Sequence, residues 1–229
     1  MKSLLFKITL SFLCSFMVLA DDRASGKELP KVLIMGDSIS IGYTPHVIEN
    51  LKGVAEVKRH KGNAGPTIRG VAKIEEWLGE GKWDLIHFNW GLWDMYGWEY
   101  YKEDRSPEAY GKRLESLVGR LKKTGAKLIW ATTTPACPAN ETTMERRFKQ
   151  DIRISPELER KYLESALAVM KKHGVEVNDL HAFIKPRWNK YAIADNNVHF
   201  TKLGSQKLGE QVAKAIQSIL SSKASGPKK

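Results

Sequence analysis

At 229 residues, with 42% hydrophobic and 9% aromatic content, the chain has the size of one ordinary domain and enough apolar material for a packed core, which excludes a disordered polymer. The formal charge of +11 attracts polyanions through its long-range field. Zinc-type spacing, an aromatic RNA-binding signature and a helix-turn-helix pattern are all missing, so nucleic acid is not expected as a partner, and the lysines are spread as on solvated helix faces.

The first twenty residues read as a secretory signal. Lys2 and Lys7 form a basic start, an apolar stretch runs from Ile8 to Leu19, and Val18-Leu19-Ala20 offers a cleavage site before Asp21-Asp22. The stretch is short for a membrane span and is interrupted by Ser11 and Ser15. Membrane contact is therefore expected only through this segment before cleavage, and the mature chain is expected to be exported, periplasmic or secreted. Leu13 ahead of Cys14 is too bulky for the usual lipid-attachment site. Removing Lys2 and Lys7 takes the formal charge from +11 to +9. It also leaves Cys137 as the single cysteine, so no internal disulfide is expected. Residues 21–29 read as a linker, 30–220 as the domain and 221–229 as a frayed Ser/Gly/Pro/Lys tail.

Along the domain, short apolar runs alternate with longer amphipathic ones. Strands are expected at Lys31–Met35, Val54–Lys58, Asp84–Phe88, Ala126–Ala131 and Val175–Val177; helices are expected at about 45–52, 67–79, 106–124, 156–173 and 202–220. Ser155-Pro156-Glu157 supplies a cap and a first-turn proline for the fourth helix. This alternation predicts a three-layer α/β/α sandwich around a parallel sheet of about five strands, with ligands gathering at the carboxyl ends of the strands.

Gly36-Asp37-Ser38-Ile39-Ser40 follows the first strand directly, which puts the Ser38 hydroxyl and N–H at that carboxyl edge. Asp37 suits a turn or cap, or contact with substrate. Near the other end, Asp195-Asn196-Asn197-Val198-His199-Phe200-Thr201 stands just before the last helix, where a histidine on a polar loop is poorly explained as core. The other histidines, 46, 60, 87, 173 and 181, show no comparable setting, and none of the six forms a metal-type cluster with Cys or carboxylates.

Taken together, Gly36-Asp37-Ser38 and His199-Phe-Thr-Lys-Leu-Gly204 resemble the motifs of the SGNH/GDSL hydrolases, over a span from about Lys31 to Ile216. The resemblance implies a flavodoxin-like sheet of order 2-1-3-4-5 and a metal-free, cofactor-free ester hydrolysis. Ser38 would attack the ester carbonyl while His199 takes its proton. It further implies an oxyanion hole from the Ser38 N–H, a glycine N–H and an asparagine side chain. Asn63-Ala64-Gly65-Pro66-Thr67 resembles the second family block, which gives the glycine role to Gly65. The third block, ordinarily Gly-x-Asn-Asp, reads Gly91-Leu92-Trp93-Asp94. Trp93, whose indole N–H is a donor, and Asn89 both stand as candidates for the missing asparagine. The fifth block, ordinarily Asp-x-x-His, has Asn196 at the Asp position, so Asp195 or Asn196 is expected to orient His199.

After the third strand, Trp90, Trp93, Tyr96, Trp98, Tyr100 and Tyr101 are crowded into one stretch. Flat rings with polar edges suit sugar faces, and Trp90, Trp93 and Trp98 are expected to bind a glycan ester. The loop from Ala136 to Ile154, with Arg146, Arg147 and Lys149, is expected beside the cleft, and Asn140-Glu-Thr142 fits a glycosylation acceptor. The leading expectation is a carbohydrate acetylesterase. Its rivals are a catalytically silent glycan-binding protein on the same fold, suggested by the altered third and fifth blocks, and a lipase or thioesterase, for which a larger aliphatic loop surface is expected.

Overall fold

The computed structural model describes residues 28–138, 143–150 and 152–222. The expected signal peptide, nearly all of the linker and tail, and the Asn140-Glu-Thr142 acceptor lie outside the described residues.

The chain runs β1 (Lys31–Met35), α1 (Ser38–Asn50), β2 (Glu56–Arg59), α2 (Thr67–Leu78), β3 (Leu85–Phe88), α3 (Leu92–Tyr96), α4 (Pro107–Lys122) and β4 (Lys127–Ala131). It continues through α5 (Thr143–Phe148), α6 (Pro156–His173), β5 (Glu176–Asn178), α7 (Leu180–Ile184), α8 (Trp188–Tyr191), β6 (Ala192–Ala194), β7 (Asn197–Phe200) and α9 (Lys202–Ser221). Short 3₁₀ turns cover Trp98–Tyr100 and Lys185–Arg187.

All five expected strands form, and they make one parallel sheet in the order β2-β1-β3-β4-β5. Side-chain alternation along β1 divides the core. Val32 and Ile34 point into the layer of α1, α7, α8 and α9, whereas Leu33 and Met35 point into the layer of α2, α4 and α6. Helices α4, α6 and α9 start where short polar side chains meet free backbone donors. Ser106 and Ser155 accept from Ala109 and Leu158 N–H, each followed by proline, and Thr201 accepts from Gly204 N–H.

Two departures from the expected elements bear on function. Helix α1 begins at Ser38 rather than about residue 45, and it runs through Pro45. Downstream of β5, the chain makes two short helices and an antiparallel hairpin, β6 with β7, which carries His199. None of the described helices is long and apolar enough to cross a membrane.

Candidate active site

Ser38 lies in the first turn of α1, immediately beyond the carboxyl end of β1. Asp37 caps the helix, its carboxylate accepting the Ile39 N–H at 2.9 Å. Burial lifts the Asp37 carboxyl to about 6 against the cap bond and the nearby Arg59, which pull it down. The Ser38 N–H is one of the orphan donors at the positive end of α1.

The turn before Ser38 is held from β2. Arg59, the last residue of that strand, donates from Nη2 to Gly36 O at 2.7 Å, from Nε to Ser40 Oγ at 3.0 Å and from Nη1 to Gly62 O at 2.7 Å. His60 stands beside it. Its Nδ1 lies 3.0 Å from Lys61 O and its Nε2 3.2 Å from Gly36 N. Nε2 also lies 3.0 Å from Gly36 O, and burial favours the neutral ring by lowering its pKa.

His199 sits on β7, where the hairpin delivers it to Ser38. The Ser38 Oγ–H donates to His199 Nε2 at 2.8 Å across 161 positions of sequence. On the other side of the ring, Nδ1 lies 2.8 Å from Asn197 Oδ1, and the His199 backbone N–H donates to the same oxygen at 3.0 Å. A backbone N–H can only donate, so the atom it meets is the amide oxygen. That oxygen must then accept from Nδ1–H, which leaves the Nε2 lone pair for the serine proton. Burial lowers the His199 pKa below its usual 6.5, favouring the neutral base.

The orienting contact expected from Asp195 or Asn196 is therefore made by Asn197. An Asx side chain readily bonds the backbone N–H two residues ahead, and that turn swings Oδ1 against the ring of the same residue. The polar loop pointed towards this contact, but spacing by family block pointed past the residue that makes it.

The expected oxyanion donors are less uniformly placed. Ser38 N–H stands at the open end of α1. Gly65 N–H donates to Asn63 Oδ1 at 2.8 Å. The Asn89 amide donates to Ala131 O at 2.8 Å and reaches Thr133 Oγ1 at 3.3 Å, so its NH₂ is committed to the end of β4 and does not replace the missing asparagine. Trp93 is 8% exposed and meets Trp98 edge-on, ring centroids 5.0 Å apart. Asp94 accepts from the Thr67 N–H at 2.9 Å and from its hydroxyl, pinning the start of α2 to α3; burial raises this carboxyl to about 6.

The aromatic run largely faces inward, contrary to expectation. Trp90 is 1% exposed in the α2/α4/α6 layer, stacked on Trp77 at 6.4 Å, and Trp98 is 2% exposed, stacked on Tyr96 at 4.8 Å. Both indole N–H groups are buried without a partner, so neither ring offers a face to a sugar. Asp37 is likewise buried in its cap and is not a substrate contact. Arg59, His60 and Arg69 are the side chains at the turn that the sequence reading passed over. The signal for Arg59 and His60 was their place at the carboxyl end of the strand beside β1.

No protein-family model and no curated protein matches the sequence. Solved structures match the fold. A lipase/acylhydrolase from Enterococcus faecalis aligns with a TM-score of 0.67 and 18% identity, covering 88% of this chain and 100% of its own. The acetyl xylan esterase AlAXEase aligns with a TM-score of 0.63 and 17% identity, covering 81% of this chain and 99% of its own. A GDSL-like lipase from Bacteroides thetaiotaomicron aligns with a TM-score of 0.63 and 17% identity, covering 82% and 88%. The chain thus has the α/β/α fold of the SGNH/GDSL hydrolases, with the strand order that the resemblance implied.

Proposed function

We propose that this chain is an exported serine esterase that removes acyl groups, acetyl above all, from a carbohydrate. One observation carries the catalytic part: Ser38 Oγ, His199 and Asn197 form a continuous hydrogen-bonded relay, each link 2.8 Å, at the carboxyl edge of the sheet. In the first step, Ser38 Oγ bonds to the ester carbonyl carbon as its proton passes to His199 Nε2. Asn197 Oδ1 keeps Nδ1–H, so the imidazolium forms without turning. The Ser38 N–H, at the positive end of α1, meets the developing oxyanion. Collapse breaks the carbon–oxygen bond to the alcohol, which leaves with the Nε2 proton. Water then repeats the sequence on the acyl-serine and frees the acid.

Support for an acetylated carbohydrate comes from the fold's likeness to an acetyl xylan esterase. The basic start and apolar stretch of residues 1–20 support export. The test is the rate of hydrolysis of 4-nitrophenyl acetate, 4-nitrophenyl butyrate and acetylated xylo-oligosaccharides by the wild-type, Ser38→Ala and His199→Ala proteins. Each substitution is expected to lower kcat by about a thousandfold or more, with acetyl preferred over butyryl.

A second reading, glycan binding without turnover, is favoured by the engagement of Gly65 N–H and the Asn89 amide within the protein. It predicts equal and negligible rates for wild type and Ser38→Ala, with glycan affinity retained in both.

A further inference from the structure

A cation that ester hydrolysis does not itself require stands beside the nucleophile turn. Ala64 N–H donates to Gly36 O at 3.1 Å, which lays the segment from Asn63 to Thr67 along the turn that holds Ser38. Gly65 follows with φ +58, and the place a Cβ would occupy there lies 2.9 Å from Arg69 Nη1 and 3.0 Å from Arg69 Cζ. The guanidinium therefore rests directly on the Gly65 backbone.

Its surroundings hold it without using it up. Nε donates to Tyr100 Oη at 2.9 Å and Nη1 to Asn63 O at 3.3 Å. Glu99 Oε2 forms an ion pair with Nη2 at 3.6 Å, longer than a hydrogen bond and on a side chain 45% exposed. The Arg69 carbon Cζ lies 5.6 Å from the Trp93 ring centroid and 5.2 Å from that of Tyr100, so the two rings form a corner around the plane. A guanidinium has five N–H donors in a rigid fork. Two are spent on neutral oxygens, and three remain on a side chain that is 28% exposed.

The geometry points to an acidic subsite: Arg69 receives the carboxylate of a uronic-acid residue adjoining the ester that Ser38 cleaves. A planar fork matches a carboxylate through two parallel N–H···O bonds. Its position on the Gly65 backbone, next to the nucleophile turn, makes the acidic group a neighbour of the scissile ester. Glu99, on a partly exposed side chain, balances the charge of Arg69 and yields to the bound carboxylate. This inference rests on the esterase reading and narrows its substrate to an acylated acidic glycan.

The test uses methyl O-acetyl-glucuronide against its 6-carboxamide, the same sugar without the charge, with the wild-type, Arg69→Gln and Arg69→Lys proteins. For wild type, kcat/KM on the acid is expected to exceed that on the amide by about tenfold or more, mainly through KM. The ratio should fall to near one in Arg69→Gln, be partly kept in Arg69→Lys, and shrink at high salt for wild type. A wild-type ratio near one overturns the proposal, as does a ratio that survives Arg69→Gln while both rates fall together, which would mark Arg69 as a prop for the loop. An O-sulfated acetyl sugar preferred over the glucuronide overturns the carboxylate assignment. If wild type and Ser38→Ala turn over neither sugar, the esterase reading has failed by itself. Calorimetric titration of the same two sugars then decides on Arg69: binding of the acid that Arg69→Gln abolishes supports the subsite, and no binding overturns it.

Discussion

Asn197 Oδ1 meets two N–H groups of one residue, the backbone N–H and the ring Nδ1–H of His199. This arrangement bears on a known hazard of asparagine in such a position. An asparagine free to rotate can present its NH₂ to the histidine and select the wrong tautomer, which in a serine protease costs about ten-thousandfold. Here the backbone donor fixes the amide, so the productive tautomer is kept and only the negative charge is missing. Asn197→Asp supplies that charge. The expected outcome is a kcat on 4-nitrophenyl acetate raised by about tenfold or more, while Asn197→Leu lowers it by about as much. The pH profile carries the same information. His199 must be neutral to accept the serine proton, and burial lowers its pKa, so kcat/KM should rise with unit slope to a plateau whose midpoint lies below 6.5. In Asn197→Asp, the carboxylate stabilises the imidazolium and the midpoint should move upward. A midpoint unmoved by that substitution would mean that residue 197 does not act on the ring.

At the scale of elements, the site depends on how two helices meet. Ser38 opens α1, and His199 comes two residues before Thr201, the N-cap of α9. These helices approach closely at Gly209, where a Cβ would stand 2.6 Å from His46 Cβ and 3.0 Å from Tyr43 O. A side chain there cannot be absorbed by a flexible partner, since one of its neighbours is backbone. Gly209→Val should push α9 from α1, costing about 1–3 kcal/mol by overpacking, or a Tm lower by about 2–12 °C at about 2–4 °C per kcal/mol for a chain of this length. Because Ser38 opens one displaced helix and the strand bearing the proposed base His199 leads into the other, kcat should fall with Tm. Full activity at the lowered Tm would show that the hairpin alone positions His199. The α1 boundary also shows what sequence pattern hides. Pro45 interrupts the usual helical reading, whereas the capping carboxylate at Asp37 starts the helix about seven residues earlier, at Ser38. Strands β1, β3 and β4 were legible because apolar runs are what a sheet covered on both faces demands, while the edge strands β2 and β5 carry polar residues and showed only through their valines. The β6–β7 hairpin was not, since its strands are only three and four residues long, too short for the alternation of Asn197-Val198-His199-Phe200 to stand out from a polar loop.

Across the whole molecule, the sheet is a partition between two apolar layers, and the aromatic run after β3 shows why burial cannot be assigned from composition. Trp90 and Trp98 lie in different layers, one on each side of the sheet, yet neither presents a face to solvent. A ring's chemistry suits a sugar or a core equally, and only the path of the chain decides between them. Another buried group carries a prediction about stability. His87 lies on β3 inside the α1/α9 layer, its Nε2 3.2 Å from Asn178 Nδ2 and its Nδ1 without a partner, and burial lowers its pKa to about 3. In the unfolded chain this ring takes a proton below about 6.5. The folded state therefore binds fewer protons throughout that window, so stability present above 6.5 is lost as pH falls towards 3. His87→Leu removes this loss. The Tm of the variant relative to wild type should increase steadily as pH is lowered from 7 to 4, measured by differential scanning calorimetry. A difference independent of pH would show that His87 is not neutral inside the fold.

The proposed esterase activity requires Ser38 to be a nucleophile made reactive by His199. Reaction with a fluorophosphonate tests it most directly, because the phosphonyl group remains on an activated serine after fluoride departs, whatever glycan or acyl group the protein prefers. Peptide mass spectrometry is expected to find the adduct on Ser38 in the wild-type protein and to lose it in His199→Ala. An unmodified Ser38, or labelling at the same rate without His199, would contradict the account.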